Sequence, residues 1–306
     1  MKDVQSKFLE KFPRGKIDES LKRFTTFRIG GPSDLFYELE DPQHLPKLFK
    51  FVSENNLPYI VLGGGSNLLF HDKGFRGLVI KMNLKGLSHE NTRVTAQSGV
   101  LISQLIKYSL ENGLDGLEKW FGLPGTVGGA VRGNAGYNGL ETKDILVKAR
   151  IFDPKTNDFR EVENNYFKFS YRDSKLKHSP EIIISATFKI GKGTLSKEEQ
   201  LKIMSDSHQF RLKKQVIGFT TGSFFKNPSP DNPAGMLIDK VGLKGKSIGE
   251  AQISEKHANF FINTGKAAAS DILALAKLAK QKVKEKFNIE LQEEVQIFSE
   301  QGPSKL

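Results

Sequence analysis

Three consecutive glycines at positions 63–65 constrain the fold of this chain more than any other short segment. They follow the apolar run 59–62, which predicts a strand, and open onto a second apolar run at Leu68. Glycine has no Cβ atom, so such a loop can bring successive backbone N–H groups against an anion, most often a phosphate. A glycine-rich turn that merely joins two strands explains the same residues. The dinucleotide-binding fingerprint does not, because Leu68 stands where its third glycine belongs.

A second glycine-rich run covers 122–136, where six of fifteen residues are glycine. Two such runs indicate two walls of one site that holds an extended phosphorylated ligand through backbone donors. With the segment 25–32, they resemble FAD-binding domains of the vanillyl-alcohol-oxidase type. The resemblance implies FAD between two subdomains, held without a covalent bond because neither run contains histidine. The residues assigned to FAD are Arg28, Gly63, Gly64, Gly65, Ser66, Asn67, Gly122, Pro124, Gly125, Thr126, Gly128, Gly129 and Ala130.

Composition excludes several other classes of protein. The 306 residues have room for about two or three domains, and no apolar stretch approaches the ~20 residues that cross a bilayer. The N-terminal residues lack the apolar core of a signal peptide, so we expect a cytoplasmic protein without membrane insertion. The chain has no cysteine, and its six histidines are scattered without ligand spacing, so we expect no metal site.

The net charge of +11 raises nucleic acid as a possible partner, but the basic residues are spread along the whole chain. Their densest cluster lies at 277–286, on a predicted helix with an apolar stripe and Ser270 as its N-cap. A structural helix explains this cluster, so we expect no nucleic-acid partner. A positive field would also attract an anionic nucleotide.

Hydrophobic periodicity predicts alternating helices and strands. Asp41 and Pro42 open one helix, Gly113 closes another, and Ser196 with Glu199 forms the capping box of a third. These elements predict an α+β fold, with a two-subdomain FAD-binding unit and a C-terminal α+β substrate-binding domain. We place the units at 1–72, 73–193 and 194–290, with a C-terminal strand within 291–306 that returns to the site.

The most specific motif is the run 222–228, Gly-Ser-Phe-Phe-Lys-Asn-Pro. With Tyr-Arg-Asp-Ser at 171–174, Ser-Glu-Lys-His-Ala-Asn-Phe at 254–260 and Leu-Gln-Glu-Glu-Val at 291–295, it resembles the UDP-N-acetylenolpyruvoylglucosamine reductase family. The resemblance extends from about 25 to 297. Only 51 positions separate Arg172 from Ser223, which favours the shorter branch of the family, without its extra tyrosine-bearing loop.

The resemblance implies an FAD- and NADPH-dependent reduction of an enolpyruvyl UDP-sugar in peptidoglycan precursor synthesis, by an enzyme that we expect to be a monomer. It assigns proton donation to Ser223, and stabilisation of the enolate-like intermediate to Arg172 and Glu294. A serine hydroxyl is a weak acid, yet a carbanion is basic enough to take its proton. The residues assigned to the substrate are Tyr171, Arg211, Lys214, Lys226 and Asn227.

Each catalytic assignment has an alternative. Ser223 could be an ordinary turn residue, and Arg172 could be a solvated charge at a strand end. Glu294 could be a charged side chain that faces outward. Alternation through the apolar positions of 289–297 places Glu293 on the apolar face, where a carboxyl pKa would rise, whereas the family pattern selects Glu294. A flavin oxidase of the same fold, or a basic nucleic-acid-binding protein, remains as a rival function.

Overall fold

The computed structural model describes residues 1–137, 139–214 and 216–306, without the side chains of Lys192, Lys213 and Lys214. The first part of the chain forms a four-stranded sheet of strand order β1-β2-β5-β3. β5 pairs in parallel with β2 on one side and with β3 on the other. Side chains on both faces of β2 and β5 are largely buried, as is typical of parallel sheets. The elements are α1 (Lys2–Lys11), β1 (Lys16–Ser20), β2 (Pro32–Leu39), α2 (Leu45–Glu54), β3 (Tyr59–Leu62), β4 (Leu68–Phe70) and β5 (Phe75–Met82).

The second sheet is antiparallel throughout, with strand order β12-β11-β13-β7-β6. α3 and α4 pack on it through buried apolar side chains such as Leu105 and Val131. Its elements are β6 (Leu87–Glu90), β7 (Arg93–Gln97), α3 (Ile102–Glu111), β8 (Leu114–Asp115), α4 (Val127–Gly133), β9 (Gly136–Tyr137), β10 (Leu140–Glu141), α5 (Thr142–Ile145), β11 (Leu146–Asp153), β12 (Asp158–Glu163), β13 (Ile182–Lys189) and β14 (Gly191–Lys192).

The remainder of the chain builds a small sheet, β15-β16-β17, against a long helix, and two strands that return to the first part. Phe224 and Phe225 are buried in the core of this region, together with Leu275 and Ala276 of the long helix. The elements are α6 (Lys197–Lys214), α7 (Ala234–Lys240), β15 (Ser247–Ile248), β16 (Ala251–Ile253), β17 (Phe261–Asn263), α8 (Ala269–Phe287), β18 (Gln296–Ser299) and β19 (Gly302–Ser304).

Two predicted unit boundaries differ from the packing. A boundary after residue 72 would separate β5 from the sheet in which it lies between β2 and β3, so we propose that the first unit extends to Met82. The predicted start at 194 assigns α6 to the third unit, yet α6 packs on the second. Gln200 donates hydrogen bonds to the Leu114 carbonyl at 3.2 Å and to Glu118 Oε1 at 3.1 Å. We therefore propose that the third unit begins after α6.

Contacts between distant segments join the third unit to the first. β18 pairs in parallel with β4 and so joins the C-terminal segment to the first part of the chain. Asp72 accepts hydrogen bonds from the backbone N–H groups of Ala269, at 2.7 Å, and Ser270, at 3.2 Å. This carboxylate accepts hydrogen bonds from free N–H groups in the first turn of α8. Ser270 lies inside that turn rather than before it, so the prediction that Ser270 is the N-cap was wrong. None of the described helices combines the length and apolar character needed to cross a bilayer.

Candidate active site

A cavity of about 760 Å³ lies where the three units meet. Both glycine-rich loops line it, and so do all three predicted catalytic residues, Arg172, Ser223 and Glu294. Lys226 lines it as well. Among the predicted FAD residues, those that line the cavity are Gly63, Gly64, Gly65, Ser66, Asn67, Pro124, Gly125, Thr126, Gly128, Gly129 and Ala130.

The two glycine loops touch each other through bare backbone. A Cβ atom on Gly64 would lie 2.9 Å from the Cα of Gly125, and one on Gly65 would lie 1.8 Å from the carbonyl oxygen of Phe24. Gly65 also has a φ of +65°, which disfavours any residue with a side chain. The glycines of the first loop therefore let it close against the second and leave backbone facing the cavity.

Three hydroxyl groups of the cavity wall have no partner among the described residues. They belong to Ser98, Thr221 and Ser304, and each oxygen is buried. Because an unpaired buried hydroxyl costs free energy, such groups point to a polar ligand that completes their hydrogen bonds. The long cavity, its glycine walls and these hydroxyls suit a large polar cofactor such as FAD. The described residues contain no group of three His, Cys, Asp or Glu side chains that could hold a metal ion.

Ser223 lies in an extended segment that is fixed from both sides. On one side the buried Asn259 accepts from the Phe224 N–H through its carbonyl, at 2.8 Å, and from the Phe225 N–H through Oδ1, at 2.9 Å. Asn259 Nδ2 also donates to the Phe225 carbonyl at 2.8 Å. On the other side the Glu294 N–H donates to the Phe224 carbonyl at 2.8 Å. The backbone that directly follows Ser223 is therefore hydrogen-bonded to the backbone of Glu294.

Glu294 lies in the same wall, beside Arg172. Its Oε1 lies 3.3 Å from Arg172 Nε, and Arg172 Nη2 donates to the Gly136 carbonyl at 3.1 Å. Burial raises the pKa of Glu294 above its ordinary value, while the positive charges of Arg172, Lys177 and Lys226 oppose that rise. A carboxyl with a raised pKa keeps more of its proton near neutral pH, so it can donate a hydrogen bond to a developing anion.

Glu293 has a different partner. Lys280 Nζ of α8 lies 2.6 Å from its Oε1, and the two side chains are 24% and 16% exposed. Side chains alternate regularly only along a continuous strand, but β18 begins at Gln296 and the backbone of the preceding residues is irregular. Both carboxylates therefore reach the cavity wall, Glu293 tied to α8 and Glu294 to Arg172. The expected rise in pKa falls on Glu294.

Several predicted residues lie outside the cavity wall. Arg28 is exposed in a left-handed turn, and the side chain of Tyr171 is half exposed. Gly122 packs beside Arg211, whose guanidinium carbon lies 4.9 Å from the centre of the Tyr137 ring. The Asn227 side chain accepts from the Ala234 N–H at 3.1 Å and so holds the start of α7. The side chain of Lys214 lies outside the described residues.

Two further residues of the cavity wall were not predicted from the sequence, and one predicted residue makes an additional contact. Arg132 and Lys177 line the cavity but belong to no predicted site. Asn67, predicted to bind FAD, donates from Nδ2 to the Glu294 carbonyl at 3.1 Å and accepts from the Gln296 N–H at 3.1 Å. The first glycine loop is thereby tied to the segment that carries Glu294. The local sequence offers no signal for these contacts, because they join segments far apart in the chain.

The glycine-walled cavity at the meeting point of the three units defines this protein as a flavoprotein of the FAD-binding type. Residues 33–157 match the model of the FAD binding domain, and residues 214–298 match that of the C-terminal domain of UDP-N-acetylenolpyruvoylglucosamine reductase. The chain belongs to the UDP-N-acetylenolpyruvoylglucosamine reductase family, as its relatives show. The predictions of the family and of the fold class are confirmed.

Similarity to individual members extends over nearly the whole chain. The reductase of Clostridioides difficile is 40% identical over 288 residues, 93% of each chain. That of Caldanaerobacter subterraneus is 39% identical over 298 residues, which are 96% of this chain and 97% of the relative. The crystal structure of the reductase from Thermus caldophilus superposes with a TM-score of 0.77 at 33% identity and covers 92% of this chain.

Proposed function

We propose that this enzyme reduces UDP-N-acetylglucosamine enolpyruvate to UDP-N-acetylmuramate with NADPH through non-covalently bound FAD, a step of peptidoglycan precursor synthesis. Family membership supports the reaction. The observation that carries the assignment of residues is that Ser223, Arg172 and Glu294 line the same cavity as both glycine loops. We further propose that it acts as a cytoplasmic monomer.

FAD would be held by backbone of the two glycine loops and by the unpartnered hydroxyls of Ser98, Thr221 and Ser304. When bound, FAD supplies the redox chemistry that passes a hydride from NADPH to the terminal vinyl carbon of the substrate. Hydride addition leaves an electron pair on the neighbouring carbon, which also bears the ether oxygen and the carboxylate. The chain must therefore stabilise a carbanion with enolate character and then protonate it.

Ser223 would provide the proton. Its hydroxyl transfers H⁺ to the carbanionic carbon, which forms the new C–H bond and completes the net addition of hydride and proton. The resulting alkoxide must be reprotonated from solvent before the next turnover. Hydrogen bonds from Asn259 and Glu294 fix the backbone that follows Ser223, so the hydroxyl is held in a defined place rather than on a free loop.

Arg172 and Glu294 would stabilise charge on the carboxylate end of the intermediate. The guanidinium supplies a fixed positive charge, and Glu294 in its protonated form supplies a hydrogen bond. Lys226, which also lines the cavity, would contact the negatively charged diphosphate, with the exposed Tyr171 and the half-buried Arg211 as further substrate contacts. We retain Lys214 as a proposed substrate contact on the family resemblance alone.

The test is consumption of NADPH under anaerobic conditions by the purified, flavin-containing protein. We expect steady oxidation of NADPH with the enolpyruvyl UDP-sugar and none with UDP-N-acetylglucosamine, which lacks the vinyl group. An oxidase would instead require oxygen and show no dependence on the enolpyruvyl group. A nucleic-acid-binding protein would carry no flavin and would bind DNA or RNA with an affinity that falls steeply with salt.

A further inference from the structure

Arg172 has a strained backbone. Its φ is +55°, in the left-handed region that non-glycine residues adopt only when their surroundings impose it. Strain of this kind is concentrated at functional sites, and here it falls on the residue whose guanidinium contacts Glu294. Some other group must therefore hold this conformation.

Lys177 is in contact with the strained residue. Its Nζ donates to the carbonyl oxygen of Arg172 at 2.5 Å, a charge-assisted hydrogen bond across a single turn of chain. The side chain is half-buried in the cavity wall, and burial, together with the nearby Lys226, lowers the pKa of Lys177. No ion pair is formed by Lys177 within the described residues, so its ammonium is committed to a backbone carbonyl.

Arg132 fixes the same turn from the side of α4. Its guanidinium donates to the carbonyls of Leu176 and, at 3.3 Å, Lys177, and its own carbonyl accepts from Ser174 Oγ at 2.7 Å. These contacts anchor both ends of the short 3₁₀ helix that carries Lys177. The ammonium of Lys177 is thus presented to Arg172 by a supported turn.

We propose that Lys177 is a positioning residue that holds Arg172 in its left-handed conformation, and so keeps the guanidinium of Arg172 against Glu294. The inference rests on the proposed function, because its consequence is seen in the substrate half-reaction. It differs from a direct role, in which the ammonium of Lys177 would bind an anionic group of the substrate by itself.

A double-mutant cycle separates the two roles. The cycle compares three variants: Arg172→Ala, Lys177→Met and the double variant. Each is first reduced with NADPH. Reoxidation of its flavin by saturating enolpyruvyl substrate is then followed by stopped-flow absorbance. We expect Lys177→Met to slow this step roughly 5- to 30-fold, the scale set by losing the support of one strained residue. Arg172→Ala should slow it roughly 10²-fold or more. The double variant should be no slower than Arg172→Ala, because Lys177 acts through Arg172.

Two further variants serve as controls, and a third is a substitute for Lys177→Met. Lys175→Met removes a lysine of the same 3₁₀ helix that lies over the Tyr166 ring and is outside the cavity wall, so it should leave the rate unchanged. Lys177→Arg retains a charged donor and should recover most of the rate. If Lys177→Met does not fold with bound flavin, Arg132→Lys replaces it, since a lysine ammonium lacks the forked geometry with which the guanidinium donates to both carbonyls. The same non-additivity with Arg172→Ala is then expected.

Multiplicative losses in the double variant, or a wild-type rate in Lys177→Met, would overturn the inference while leaving the proposed function intact. A raised substrate KM with unchanged kcat in Lys177→Met would also overturn it, because that pattern indicates ground-state binding. If the wild-type flavin is not reoxidised by the substrate, the proposed function fails and the inference fails with it.

Discussion

At the scale of single residues, the candidate site depends on where Ser223 and Glu294 lie relative to the core. Phe224 and Phe225, which follow Ser223, are both buried, and the segment is hydrogen-bonded to Asn259 on one side and to Glu294 on the other. Ser223 itself is half-buried at the cavity wall. In the proposed reaction, a hydroxyl on a backbone held in this way would stay close to the reacting carbon, as a proton donor of low acidity requires.

Replacing the hydroxyl tests its role as an acid. Ser223→Ala should still accept hydride from NADPH at close to the wild-type rate, because proton donation is not needed in that half-reaction. Flavin reoxidation by the substrate should slow by roughly 10²-fold or more, the range for losing a positioned acid. Ser223→Cys should recover part of the rate, since a thiol is the stronger acid. Both half-reactions are measured by flavin absorbance, and wild-type reoxidation in Ser223→Ala would refute the assignment.

At the scale of elements, local sequence predicts what local interactions determine. Asp41 and Pro42 open a 3₁₀ turn, Pro42–His44, that leads into the helix Leu45–Glu54, and the Asp41 carboxylate accepts from the Gln43 N–H at 2.9 Å. The capping box of Ser196 and Glu199 is present as well. Each of these signals lies within a few residues of the element that it controls.

Contacts between distant segments could not be predicted in this way. The helix Ala269–Phe287 is capped by Asp72, 197 residues before it, and no local pattern identifies that partner. Local alternation favoured Glu293 over Glu294, whereas the contacts that distinguish them, Lys280 with Glu293 and Arg172 with Glu294, come from other parts of the chain. Likewise, Ser223, Arg172 and Glu294 could be grouped beforehand only through the family resemblance, because the spacing between them carries no geometric information.

The short helix Val127–Gly133 presents Gly129 to the cavity, which gives a test of the cofactor site. A Cβ atom on Gly129 would meet only Thr126 Oγ1, at 3.6 Å, so Gly129→Ala and Gly129→Val should both fold. We expect flavin content to fall progressively from glycine to alanine to valine, because the side chain enters the space next to the glycine loops. Absorbance of the purified protein measures the flavin and the melting temperature reports the fold. Full flavin content in a folded Gly129→Val protein would contradict the site.

Gly64→Val tests the contact between the two glycine loops. Its Cβ would lie 2.9 Å from the backbone of Gly125, so this substitution separates the two loops themselves. We expect loss of flavin together with a lower melting temperature. The contrast between Gly64 and Gly129 thus distinguishes a glycine needed for contact between loops from one needed for room in the cavity.

At the scale of the whole molecule, the site is assembled at the meeting point of all three units, and its charged residues affect stability as well as chemistry. Three cations, Arg172, Lys177 and Lys226, face the half-buried Glu294, yet the pKa of that carboxyl is still raised because its desolvation outweighs their attraction. The unfolded chain exposes the same carboxyl to water. Folding therefore favours the protonated form of Glu294, and the protein gives up stability in order to keep this group at the site.

The sign of the pH dependence follows from this raised pKa. Below the unfolded-state pKa of about 4.3, Glu294 is protonated in both states and the neutral Glu294→Gln substitution should change stability little. As pH rises through the folded-state pKa, the wild-type protein loses the stability that protonation provides, so the Gln variant should become the more stable of the two. We expect its melting temperature to exceed that of the wild type at pH 7, and the difference to shrink toward pH 4. FAD is kept saturating, because a bound ligand raises the melting temperature.

Glu293→Gln is the matched control, and its expected effects have the opposite sign. This substitution leaves Lys280 Nζ, now 2.6 Å from Glu293 Oε1, without its anionic partner, so the variant should melt at a lower temperature than the wild type at pH 7. Flavin reoxidation by the substrate should be largely retained in Glu293→Gln and strongly slowed in Glu294→Gln, because only Glu294 contacts Arg172. If Glu294→Gln were instead the less stable variant at pH 7, or Glu293→Gln the slower enzyme, the two carboxylates would have to exchange roles.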